Sequence, residues 1–81
     1  MNNSYEFFVQ TDKQHIDFIN KIFEAYEGYG VVRTLDQKAG KIKIITVDCF
    51  AEDVEKILKD LNDNHNVEIE ITKQGIWEGV L

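Results

Sequence analysis

The chain predicts an α+β domain in which a four-stranded antiparallel sheet carries two helices on one face. Its hydrophobic period alternates between two and about 3.6 residues and reads strand, helix, strand, strand, helix, strand with little left over. Its 81 residues allow a single domain, 1–81, with a single core.

The first strand is Tyr5-Glu6-Phe7-Phe8-Val9-Gln10, where Tyr5, Phe7 and Val9 alternate with Glu6, Phe8 and Gln10. Phe8 is the apolar exception on the outward face. Thr11-Asp12-Lys13-Gln14 has capping-box spacing, with Thr11 bonding the Gln14 amide and the Gln14 side chain reaching back. A helix starts there, and Ile16, Ile19, Ile22, Phe23 and Tyr26 form its sheet-facing stripe. Gly28 supplies the left-handed residue that ends it.

The second strand, Val31 to Asp36, is rich in β-branched residues, and Gln37-Lys38-Ala39-Gly40 has the length of a hairpin loop. The third strand spans Lys41 to Asp48. The second helix begins near Phe50, turns Val54, Ile57, Leu58 and Leu61 inward, and pairs Glu52 with Lys56 at i,i+4. Asn62 to Asn66 break that helix, and the last strand alternates from Val67 to Thr72. Residues 74–81 then form an apolar C-terminal tail containing Ile76, Trp77, Val80 and Leu81.

Two right-handed crossovers joined by a hairpin give the ferredoxin-like βαββαβ sandwich, strand order 4-1-3-2. Strands two and four are its edges. Proline is absent, which removes one device for blunting edges and leaves them available for pairing. If Phe7 and Val9 face the helices, Phe8 faces away, and either Ile42/Ile44 or Ile45/Val47 must join it on the helix-free side.

Composition narrows the function. A net charge of −6 argues against a nucleic-acid partner, whose phosphates attract the opposite sign. No apolar run approaches a membrane span, and Met1-Asn2-Asn3-Ser4 lacks the features of a signal peptide. A single cysteine, Cys49, forms no internal disulfide, and a reducing cytoplasm is the simplest setting.

Few residues stand out chemically. His15 and His65 fall at one end of the fold with Asp12, Asp36 and Asp63, but without metal-ligand spacing they read as surface histidines, and no metal or cofactor is expected. Cys49 precedes the second helix, where a thiolate would be stabilised. The competing and preferred reading buries it in an αβ corner with Asp48 as a helix cap. Arg33 either pairs with a strand acid or, on the helix-free face, holds a carboxylate or phosphate. In Glu27-Gly28-Tyr29-Gly30 the glycines are explained by helix termination and a tight turn, and Tyr29 is left available for contact.

Other proteins of this fold use features the chain lacks. Its third strand has no aromatic residue for stacking RNA bases, it has no cysteine pair for a heavy metal, and Thr11-Asp12-Lys13 stands where an acylphosphatase has a phosphate-cradling loop or an amino-acid-binding regulatory domain a glycine. The run from Tyr26 to Asp36, with the hairpin and Phe50-Ala51-Glu52, resembles a family of small, stand-alone bacterial domains of unknown function. The resemblance implies a bacterial cytoplasmic setting and brings no activity. The residues then point to a non-enzymatic binding or assembly module that forms a homodimer through its sheet face or an edge. A small-molecule or protein partner is expected near Phe8, Tyr29, Arg33 and Trp77. The alternatives are a small-molecule sensor with its ligand at the dimer seam and a small thiol enzyme using Cys49.

Overall fold

The computed structural model describes residues 3–26 and 29–77. In it β1 (Ser4–Gln10), α1 (Ile16–Ala25), β2 (Val31–Asp36), β3 (Lys41–Val47), α2 (Ala51–Asn64) and β4 (Glu70–Ile76) follow one another, with short 3-10 turns before each helix. The sheet is antiparallel in the order β2-β3-β1-β4, the expected 4-1-3-2 read from the other edge.

One core lies between the sheet and both helices. Phe7 and Val9 of β1 and Ile42 and Ile44 of β3 meet Ile16, Ile19 and Phe23 of α1 and Val54, Leu58 and Leu61 of α2. The choice left open at β3 therefore falls to Ile45 and Val47 as the residues that share the helix-free side with Phe8. The sheet-facing stripe of α1 is narrower than its spacing suggests. Ile22 only borders the core and Tyr26 is largely exposed, because both turn toward a groove of about 360 Å³ between the helices, lined also by Ile57, Leu61 and His65.

The start of α1 differs from expectation. Asp12, not Thr11, caps it, with Oδ1 accepting from the Gln14 amide at 3.1 Å. The Thr11 hydroxyl is buried with no hydrogen-bond partner among the described residues, because its backbone is tied to the hairpin by a 2.8 Å bond from Thr11 N to Gly40 O. Gly40 holds a φ of +71°, and an added Cβ would meet the Thr11 carbonyl oxygen at 1.9 Å.

At the other helix, Asp48 makes no side-chain cap; Val47 stands at the cap position and residues Asp48–Phe50 form a 3-10 turn. The Glu52–Lys56 pair forms at 3.7 Å in solvent. Helix α2 runs through Asn64 before Asn66, at a φ of 54°, turns the chain. β4 starts three residues later than Val67 and continues through Ile76, so 74–76 belong to the strand and not to a tail. The proposed Gly28 cap and residues 78–81 lie outside the described residues.

Both edge strands carry a bulge, at Leu35 of β2 against β3 and at Thr72 of β4 against β1. A bulge twists an edge and interrupts its ladder. The chain thus has an edge-blunting device that does not need proline.

Candidate functional site

The pairing registers arrange the helix-free face as three rows that run across all four strands. The central row is Arg33, Lys43, Phe8 and Lys73; on one side lie Val31, Ile45, Glu6 and Gly75, and on the other Asp36, Lys41, Gln10 and Glu70. Neighbouring strands are spaced about 4.8 Å apart, so the central row spans about 14 Å.

Its middle is built around a buried charge pair. Lys43 and Glu6 are 1% and 4% exposed, and Lys43 Nζ lies 3.4 Å from Glu6 Oε2. That oxygen accepts no hydrogen bond of good geometry from the described residues, so charge rather than direction holds the pair. The Lys43 ammonium also sits 5.2 Å from the Phe8 ring centroid, and that of Lys73 sits 5.5 Å from it. Both distances fall within the range of cation–π attraction. Phe8 is consequently half-buried and fixed between two cations.

Arg33 is exposed at the β2 end of the row. Its cross-strand neighbour is Lys43, not an acid, and it has no ion pair among the described residues, which corrects the expectation of an acidic strand partner. Val31 and Leu35, on either side of it, are 54% and 44% exposed. Beside Phe8 lies an open depression of about 350 Å³, lined by Phe8, Gln10, Leu35, Lys41 and Thr72.

The other expected site residues lie elsewhere. Tyr29 borders the core, with its ring centroid 5.0 Å from that of Phe50 and 6.1 Å from that of Tyr26, and its carbonyl accepts from the Thr46 hydroxyl. Trp77 follows β4, and its backbone N–H donates to Ser4 O at 2.8 Å. Both residues stand at the end of the sheet where β1 begins. Cys49 is at that end too, since Asp48 N donates to Asn3 O. Cys49 is exposed, contrary to the preferred reading of a buried corner, because the 3-10 turn lifts it off the sheet before α2 begins. The 14 residues of α2 separate it from His65 by about 20 Å. His15 belongs to the hairpin end, where its amide bonds Asp12 O.

The structure therefore brings Phe8 and Arg33 into one row and leaves Tyr29, Trp77 and Cys49 out of it. Lys43 and Glu6 escaped the sequence reading. Their signal was present in two opposite charges at outward positions of two central strands, but strand order and register are needed to set them side by side.

Among the described residues no three His, Cys, Asp or Glu side chains converge to hold a metal. His65 Nε2 instead lies 3.3 Å from Asp60 Oδ2. No helix among the described residues is long and apolar enough to cross a membrane.

Fold and face together define a ferredoxin-like α+β domain whose helix-free sheet face is built on a cation–aromatic row. The chain belongs to the DUF4911 family, a domain of unknown function, whose model matches residues 9–64. Arg33 and Lys43 fall inside that stretch, and Phe8, Lys73 and Trp77 fall outside it. No curated protein and no solved structure matches the chain.

Proposed function

We propose that this protein is a non-enzymatic binding module that works, and self-associates, through the helix-free face of its sheet. One observation carries the reading. A half-buried Phe8, clamped by two lysines, lies among exposed Val31, Leu35 and Arg33 on a face that no helix covers. Exposed apolar side chains grouped on one surface are a mark of an interaction site.

Light scattering at tens of micromolar tests the assembly. A dimer is expected, reduced to a monomer by Val31→Glu with Leu35→Glu. A monomeric intact chain would remove self-association from the reading.

The ligand-sensing alternative has an observation of its own. Were two such faces to stack about a two-fold axis through the central row, Arg33 and Lys73 of one copy would face cations of the other. Like charges across an interface cost affinity. An anion held at the seam would offset that cost and make assembly ligand-dependent.

A further inference from the structure

We propose that the depression between Phe8 and Leu35 binds a small carboxylate with an apolar body, its charge held by Lys41 and Arg33. The proposal rests on the helix-free face being the binding surface. The depression, about 350 Å³, is at the small end of the range of about 300–1,000 Å³ typical of small-molecule sites. Its walls suit an apolar body: the Phe8 ring is held in place by two ammonium groups, and Leu35 is the bulged residue of β2.

Among the described residues that line it, the one charged side chain is a cation. Lys41 lines the depression, and Arg33 is its diagonal neighbour across the β2–β3 pair, at a Cα spacing of about 7–8 Å that long side chains bridge. Neither has an ion-pair partner among the described residues. Of the acids nearby, Asp36 is the direct cross-strand neighbour of Lys41 and keeps its charge. It turns Oδ1 to the Ala39 amide at 3.1 Å, Glu6 is engaged by Lys43, and Glu70 lies across from Gln10 at the far end of its row. Gln10 is fixed as a wall, because its side-chain amide donates to the carbonyls of Ala39 and, at 3.1 Å, Thr11.

The same features select against other anions. A phosphate dianion is usually met by several backbone N–H groups at a helix N-terminus or a glycine-rich turn, and no helix N-terminus opens onto this depression. A nucleic acid would meet the repulsion of a chain with net charge −6, and the Phe8 ring already has ammonium groups of Lys43 and Lys73 against it. A monoanion needs one Arg fork or Lys ammonium and little else.

Amide chemical-shift titration with hexanoate tests this, with hexanol and inorganic phosphate as comparison probes. Hexanoate is expected to give saturable shifts at Phe8, Gln10, Leu35 and Lys41, and to bind about tenfold or more weakly once Arg33→Gln and Lys41→Gln are combined. Lys38→Gln, in the hairpin, should leave the affinity unchanged. Equal binding of hexanol, or undiminished binding to the double variant, would overturn the carboxylate assignment and leave the face as a binding surface. Saturable hexanoate shifts confined to the groove between the helices, or none at all, would overturn the site itself. Assembly on this face would still be read independently by light scattering.

Discussion

Lys43 meets Glu6 across the two central strands, with its ammonium 3.4 Å from the carboxylate, on the side of the sheet that bears no helix. A buried pair of this kind is costly to break from one side, because the remaining charge is left without a counterion in a poorly solvated place. Lys43→Met should therefore lower unfolding stability by about 3 kcal/mol. Combining it with Glu6→Leu should restore most of the loss, since no charge then remains buried. Denaturant midpoints of the wild type, both single variants and the double variant make the measurement. Equal losses in the single and double variants would show that packing, not charge, is what Lys43 contributes.

The hairpin offers a sharper backbone test. Gly40→Ala places a methyl group 1.9 Å from the Thr11 carbonyl oxygen at a residue with φ of +71°, and a cost of about 2 kcal/mol or more is expected from the left-handed conformation and the clash together. Gly75→Ala meets no described atom within 4 Å and lies in the paired stretch of β4 beyond its Thr72 bulge. It should be neutral or slightly stabilising. Thermal unfolding of the two variants side by side separates the cases.

The start of α1 distinguishes two caps that share a sequence. Asp12→Ala removes the bond to the Gln14 amide and should cost about 1 kcal/mol. Thr11→Val removes a buried hydroxyl that bonds none of the described residues, so stability should hold or rise slightly. If Thr11→Val proved the more damaging change, the capping box would be the true arrangement.

Cys49 is exposed in the turn before α2. A thiol reagent added to the folded protein at neutral pH should label it to one equivalent without denaturant. Labelling that begins only as the protein unfolds would return Cys49 to a buried corner.

Much of the fold is local in origin and so was legible along the chain. Val31 to Asp36 and the hairpin to Gly40 fall where their β-branched run and turn residues place them. The core faces of both helices follow from the spacing of Ile16, Ile19 and Phe23 and of Val54, Leu58 and Leu61. The end of β4 was less visible, because Lys73-Gln74-Gly75 interrupts the apolar alternation and only pairing with β1 keeps those residues extended. The cap was ambiguous because Thr11 and Asp12 are both capable side chains. The hydrogen bond from Thr11 N to Gly40 O, twenty-nine positions away in the sequence, fixes the Thr11 backbone and leaves the cap to Asp12.

The candidate site divides in the same way. From sequence alone came the element order, the strand arrangement, the outward direction of Phe8 and the prominence of Arg33, since each depends on a period of two or 3.6 residues or on a handedness that all chains share. Only the tertiary structure decided that Arg33, Lys43, Phe8 and Lys73 form one row, that Glu6 lies in the row beside it within reach of Lys43, and that Tyr29, Trp77 and Cys49 stand apart. Those relations depend on strand register, and a slip of one residue turns every side chain to the other face. Register is set by how the whole core closes, at Phe7 against Ile44 and Val9 against Ile42, and no stretch of the chain encodes that closure by itself.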